Sequence, residues 1–324
     1  MQTPVFWEER GIGAKLLSPV GVLFGALGRW RRRSANSVAA NVPIICIGNL
    51  VAGGAGKTPV ALSLANRLQE SGCAVHFLSR GYGGAIRGPH RVDRTHDGAD
   101  RVGDEALLLA AVSPTWVARD RVAGARAAER AGAAVIVMDD GFQNLSLQKN
   151  LSIVVVDGAY GFGNELLIPA GPLRELVADG MARADVVVIL GDDQAGVRQK
   201  IPTHLRVLTA KLVPGPEGTT FAGRRVIAFA GIGRPKKFFN TLHNLGCKLV
   251  GSHAFADHHR YREHELLLLA DKADKLDAVL VTTAKDMVRV PEAFRSLVDV
   301  LSVEVSWDDE SVLDMTLRHL VADR

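Results

Sequence analysis

The sequence predicts an α/β protein. A doubly wound, mostly parallel sheet is joined through a β-hairpin linker to a second, smaller α/β domain. Three observations carry this reading. From residue 42 onward, short β-branched runs alternate with helical stretches. A glycine-rich loop separates the first such run from a helix that opens at Lys57-Thr58. Near residue 203 the alternation gives way to two strand-like runs around Pro214-Gly215-Pro216-Glu217-Gly218, and then resumes. The expected organisation is residues 1–202, a linker over 203–226, and residues 227–324. With 324 residues, 47% hydrophobic and 23% charged, the chain is long and apolar enough for a sizeable core. That composition excludes a disordered chain, a collagen-like repeat and a coiled coil.

The elements follow in order. In the N-terminal segment, Ser18-Pro19 has the form of a helix start, with serine at the cap and proline in the first turn. Val20, Leu23, Phe24, Leu27 and Trp30 then recur at helical spacing, Gly21, Gly25 and Gly28 form a smaller-residue face, and Arg29, Arg31, Arg32 and Arg33 close the segment. Such a helix suits either the interface of an anionic leaflet or a place on the domain core with a solvated basic end. The apolar stretch from Leu16 to Gly28 is shorter than the ~20 residues of a membrane span. Glu8 and Glu9 occupy what would be the basic region of a signal peptide, so a cytoplasmic protein is expected. Pro43 to Ile47 reads as a buried strand, with a helix over Pro59–Ser71. Further strands are read at Ala74–Leu78, Ala133–Met138, Leu151–Val156 and Asp185–Leu190, with helices near 103–112 and 120–131. His204–Val213 and Thr219–Val226 read as the two strands of the linker. After them come strands at Val226–Ala230, Lys248–Gly251 and Ala278–Thr282, and helices from Pro235 and over Glu263–Lys275.

Net charge is +4, too weak an imbalance to argue for nucleic acid. Cys46, Cys73 and Cys247 lie far apart, with no CxxC pair to suggest zinc or a disulfide framework.

The loop Gly48-Asn49-Leu50-Val51-Ala52-Gly53-Gly54-Ala55-Gly56-Lys57-Thr58 is the most informative text in the chain. Its glycines let backbone N–H groups turn toward phosphate oxygens. The helix N-terminus adds positive potential, Lys57 reaches the β/γ-phosphates, and Thr58 can hold Mg²⁺. Val51 replaces the first glycine of the strict pattern, so Gly53 and Gly54 supply the flexibility. Residues 51–58 are thus the nucleotide-binding candidates, and the large domain is P-loop NTPase-like. A hydrophobic strand ends in Asp139-Asp140, where such proteins place the carboxylate beside the metal. Phosphoryl transfer to a hydroxyl also needs a base, for which Asp104 and Glu105 are candidates. It needs cations as well, drawn from Arg80, Arg119, Arg121 and Arg174. Adjacent His258 and His259 cannot face one metal site from a helix or strand, so a histidine tuning a catalytic carboxylate is the better reading.

Taken together and in order, these motifs resemble the tetraacyldisaccharide 4′-kinase family, the lipid A 4′-kinases of Gram-negative bacteria. The resemblance rests on the loop through Pro59, on Ser79-Arg80-Gly81-Tyr82-Gly83, on Val102-Gly103-Asp104-Glu105, and on Asp139-Asp140-Gly141-Phe142-Gln143-Asn144. It continues through Pro169-Ala170-Gly171-Pro172-Leu173-Arg174-Glu175, Gly231-Ile232-Gly233 with Pro235, Phe255-Asp257-His258, and Thr283-Ala284-Lys285-Asp286. In the last motif, Ala284 stands where the family has glutamate. The resemblance implies a kinase using ATP and Mg²⁺ to phosphorylate the 4′-hydroxyl of tetraacyldisaccharide 1-phosphate, giving lipid IVA. It also implies a monotopic enzyme on the cytoplasmic face of the inner membrane. Its partners would be the lipid substrate and the membrane surface, with no nucleic acid, and a monomer is expected. By resemblance, Asp104 is the catalytic base and His258 its partner, with Lys57 and Arg174 also catalytic. Thr58, Asp139 and Asp140 are metal residues, and Arg80, Tyr82, Glu105, Arg121, Gln143, Asn144 and Glu175 bind substrate. The competing reading is a membrane-recruited ATPase switch. Switches of that type carry a lysine where this chain has Ala52.

Overall fold

The computed structural model describes residues 4–7 and 9–321, so Glu8 lies outside the described residues. The first helix, α1 (Ile12–Arg33), begins at a Gly11 cap rather than at Ser18, and Pro19 lies inside it. Proline removes one helical hydrogen bond without ending this helix. The smaller-residue face packs inward: Gly21 and Gly25 are buried against Leu167, and a Cβ at Gly25 would stand 2.5 Å from its Cδ1. The opposite face is bare, with Leu16, Leu23, Leu27 and Trp30 all more than half exposed.

The chain then enters the large sheet through β1 (Ile44–Gly48), α2 (Lys57–Glu70), β2 (Val75–Ser79) and a short β3 (His90–Arg91). Two short helices, α3 (Ala99–Val102) and α4 (Asp104–Ala110), meet at Gly103. They lead to β4 (Thr115–Val117), α5 (Arg121–Arg130), β5 (Val135–Asp139), β6 (Leu151–Asp157), α6 (Val177–Met181), β7 (Val186–Leu190) and β8 (Arg206–Pro214). The strands β1, β2, β5, β6 and β7 are buried throughout, because helices cover both faces of a parallel sheet. This is why they read as continuous apolar runs.

The second sheet is formed by β9 (Arg225–Ala230), β10 (Lys248–Ala254), β11 (Val279–Thr283) and β12 (Val298–Leu301), all parallel. Helices α7 (Pro235–Asn244) and α8 (Glu263–Lys275) cover its two faces, and the short α9 (Ala284–Met287) follows β11 directly. The chain then returns to the large sheet through β13 (Val303–Trp307), and α10 (Glu310–Val321) buries Leu313 and Leu317 in the core beneath α2. Among the described residues the strand orders are β13-β8-β7-β6-β1-β5-β2-β4-β3 and β10-β9-β11-β12.

The expected hairpin over 203–226 does not form. β8 pairs in parallel with β7 and antiparallel with β13, and Pro216–Phe221 is a 3₁₀ turn that buries Phe221. The two-stranded antiparallel connection between the sheets is therefore β8–β13. Residues 303–321 belong with the large sheet and not with the smaller domain expected to run from 227 to 324.

In both sheets the carboxyl ends of the parallel strands face the same cleft. Phosphate-binding loops sit at this end because helices start there. Gly48, the last residue of β1, admits this packing only as glycine, since a Cβ would lie 2.3 Å from Phe142 Cβ. Gly48→Ala should therefore cost about 1–3 kcal/mol through overpacking, read as a lower thermal transition. An unchanged transition would show that the Phe142 turn moves freely.

Candidate active site

The phosphate loop is held by its neighbours. Gly56 caps α2 in the left-handed region at φ 84°, and a Cβ there would strike Leu190. Gly53 (φ 118°) and Gly54 have open space around them. Backbone bonds tie the loop to the 172–174 segment: Ala52 N–H donates to Pro172 at 2.7 Å, and Arg174 N–H to Leu50 at 2.8 Å. Val51 and Ala55 are buried, so these two can offer a nucleotide only backbone.

Around the loop, Lys57 Nζ lies 3.5 Å from Asp140 Oδ1, and Arg174 reaches the same oxygen at 2.8 Å. The Thr58 hydroxyl donates to Asp139 Oδ2 at 3.1 Å. Asp139 Oδ1 is buried without a hydrogen-bond partner. Burial, and then the charge of Glu105, pushes the Asp139 carboxyl up to about 7. Asp140 sits at φ 49°, outside the usual range for a non-glycine residue. Burial raises its carboxyl too, but Lys57 and Arg174 outweigh it and hold the group below the ordinary range.

Facing this cluster is the N-terminus of α4. Asp104 is 4% exposed, and its Oδ2 lies 2.8 Å from His258 Nδ1, carried by the loop after β10. Burial pushes the Asp104 carboxyl up. The His258 hydrogen bond, Lys285 and Arg289 outweigh that and hold it below its ordinary value. An ionised carboxylate only accepts, so Nδ1 carries the proton and Nε2 is left free of it in the neutral ring. His258 adopts φ 60°, and its ring lies 5.7 Å from that of Tyr82. Lys285 Nζ sits 3.4 Å from Glu105, and Arg289 3.7 Å from Asp104. The two sheets thus meet through opposite charges at the mouth of the phosphate loop.

The remaining expected site residues divide. Gln143 donates to Asn49 O at 2.9 Å and to Glu175 at 3.1 Å, and accepts from Arg174 at 3.3 Å. Arg80 and Tyr82 are exposed beside the cleft. Asn144 is turned away and accepts from Ser146 at 3.1 Å. Arg121 and Glu175 are buried, at 3% and 1% exposure. Burial, with Arg80 nearby, lowers the Arg121 guanidinium to about 10. Both lie behind the site's surface rather than on it.

A family model described as tetraacyldisaccharide-1-P 4′-kinase matches residues 13–322. The chain belongs to the tetraacyldisaccharide-1-P 4′-kinase family. A tetraacyldisaccharide 4′-kinase of Rhodospirillum rubrum is 50% identical over 100% of this chain and 99% of its own length. One from Paramagnetospirillum magneticum is 50% identical over 97% of each. A crystal structure of LpxK from Aquifex aeolicus, in complex with ATP, superposes with a TM-score of 0.78 at 25% identity, covering 95% of this chain and 99% of that one.

In this 4′-kinase family member, Arg289 escaped sequence reasoning, and Asp286 was named there only as part of a motif, with no role. Arg289, 4% exposed at its side chain, bonds Asp286 at 2.8 Å and the Gly231 carbonyl at 3.1 Å while facing Asp104. Nothing in the local sequence separates it from surface arginines. Asp286 also accepts from Gly231 N–H at 2.8 Å and from the hydroxyls of Tyr261 and Thr283, at 2.7 and 2.6 Å. It organises the loop that presents Lys285.

Proposed function

We propose that this chain transfers the γ-phosphoryl group of ATP to the 4′-hydroxyl of a tetraacyldisaccharide 1-phosphate, giving lipid IVA. The Asp104–His258 contact carries this reading, because it sets a base across the cleft from the phosphate loop. The loop backbone and Lys57 bind the triphosphate, exchanging the Lys57–Asp140 contact for phosphate. Thr58 and Asp139 are suited to Mg²⁺: the orphaned Oδ1 is a buried acceptor in need of a cation. Among the described residues no three His, Cys, Asp or Glu side chains cluster as a metal cage. Held by Thr58 and Asp139, Mg²⁺ would neutralise charge that develops on the transferring group.

The acceptor hydroxyl gives its proton to Asp104 as its oxygen bonds to phosphorus and the bond from phosphorus to the ADP oxygen breaks. His258 orients the carboxylate through its Nδ1–H. Arg174, Arg80 and Tyr82 line the approach, and Lys285 keeps Glu105 in place beside Asp139. One chain supplies all these groups, which suits a monomer. The test is transfer of label from γ-labelled ATP. Label in the disaccharide lipid supports the kinase, and label released only as inorganic phosphate supports an ATPase switch.

The same reading places the enzyme on the cytoplasmic face of the inner membrane as a monotopic protein. Helix α1 is, among the described residues, the one helix long and apolar enough to cross a membrane by length and composition. One of its faces is committed to Leu167, so it supports lying in the interface rather than being surrounded by lipid. Leu23→Glu with Leu27→Glu should move the protein from vesicle pellet to supernatant. Undiminished sedimentation with anionic vesicles would exclude α1 as the anchor.

A further inference from the structure

The arginine run that ends α1 is not uniform. Arg31 and Arg33 are exposed, whereas the Arg32 side chain is 18% exposed and points into the protein. Its guanidinium reaches Asp179 at 2.9 Å and the buried Glu175 at 3.5 Å. Glu175 also binds Arg183 and accepts from Gln143, which accepts from Arg174, which holds Asp140 beside Lys57. A continuous chain of charged and polar contacts therefore runs from α1 to the phosphate-loop lysine.

A second route runs parallel to it and is independent of charge. Gly21 and Gly25 clamp Leu167. The 166–168 segment exchanges backbone bonds with Leu173, with Leu173 N–H donating to Leu166 at 3.0 Å and Ile168 N–H to Leu173 at 2.9 Å. The Leu173–Arg174 pair is bridged in turn to Leu50 and Val51 of the loop.

We infer that Arg32 is a positioning residue for phosphoryl transfer: acting through Glu175, it ties the seating of α1 to the placement of Arg174 and Asp140 at the phosphate loop. This inference rests on the kinase reading above. Glu175 is buried beyond the reach of water, so its charge is held by Arg32 and Arg183 together. With one guanidinium gone, the carboxylate is drawn to Arg183, and Gln143 loses the fixed acceptor that aims it at Arg174. Arg32 thus serves the site rather than the lipid surface, although it lies within the basic end of the interfacial helix.

The test uses the full-length enzyme with detergent-solubilised acceptor, which removes membrane recruitment from the rate. Arg32→Ala should lower kcat roughly 10- to 100-fold, the size of effect seen when support behind a site is removed. Vesicle sedimentation should be unchanged. Arg32→Lys, which keeps the charge but not the fork between Glu175 and Asp179, should recover part of kcat. In combination with Glu175→Gln, Arg32→Ala should cost much less than it does alone, since no buried charge is left to compensate. Wild-type kcat in Arg32→Ala, or equal losses in both Glu175 backgrounds, would overturn the inference. If Arg32→Ala does not fold, Arg32→Lys carries the test, and full activity there together with full activity in Arg32→Gln overturns it. Absence of lipid phosphorylation by the wild-type protein would instead overturn the kinase reading.

Discussion

Lys57→Ala should abolish phosphoryl transfer and leave the fold standing. The lysine sits at the first position of α2 with its ammonium 3.5 Å from Asp140. The fully buried side chains of α2 are Val60, Ala61, Leu64, Ala65 and Leu68, all beyond its first position. Removing the ammonium does not strand Asp140, because Arg174 still binds the same oxygen at 2.8 Å. The cost in stability should therefore be small. The cost in rate should not be. Transfer from ATP gathers negative charge on the bridging and equatorial oxygens, and a pre-positioned cation in a site shielded from water counts for far more there than in solution. Losing one such group typically costs roughly 10²–10³-fold in kcat, and Lys57 also contributes to binding the triphosphate. An intact thermal transition together with wild-type turnover would refute the assignment of this loop as the nucleotide site.

What the sequence makes legible is what local physics determines. The strands β1, β5, β6 and β7 are covered on both faces, so each must be apolar at every position, and each stands out within a few residues of its observed limits. The phosphate loop is legible for a related reason: only glycine fits Gly56 against Leu190 at a positive φ. Asp104 and His258 were paired by family likeness. Their contact spans 154 positions in the chain, and no local pattern encodes it. The linker failed on the same ground. β8 has a strand's composition, but its antiparallel partner is β13, far downstream, while the nearer Thr219–Phe221 run closes into a 3₁₀ turn around Phe221. Ser18-Pro19 has the form of a helix start, yet α1 begins at Gly11 because contacts with the 164–170 loop order the chain ahead of it. Trp7 donates to Pro169 at 3.0 Å, and Asn164 to Phe6 at 2.9 Å. Glu175 was expected to touch substrate by family likeness. Glu175 instead points into the protein, 1% exposed and bound by Arg183 and Arg32.

The Asp104–His258 pair should behave as a unit. A sugar hydroxyl is a poor nucleophile until its proton begins to leave. An aspartate held below its ordinary pKa is by itself a weak acceptor for that proton at neutral pH. Here Asp104 is held low by the His258 hydrogen bond and by Lys285 and Arg289, against the opposing push of burial. Its low pKa keeps it ionised as pH falls to the ordinary carboxylate range, so loss of activity at mildly acidic pH should not come from Asp104. The histidine can offset the mismatch by position, since its Nδ1–H donates along the 2.8 Å contact to Oδ2 and so fixes the carboxylate that receives the proton. Asp104→Ala should accordingly cut kcat strongly with little change in KM for ATP, because Asp104 does not reach the phosphate-loop residues. His258→Ala should cut kcat less, by at most the roughly 10²–10⁴-fold of a proton-transfer group. Asp104→Ala with His258→Ala should fall well short of the product of the two losses, since either change alone already breaks the pair. Asp104 starts α4 beside the large sheet and His258 follows β10 of the smaller one, so the coupling would also report the contact between the two sheets. Multiplicative losses in the double variant would mean that the two side chains act separately, and that the contact between the sheets serves stability rather than proton transfer.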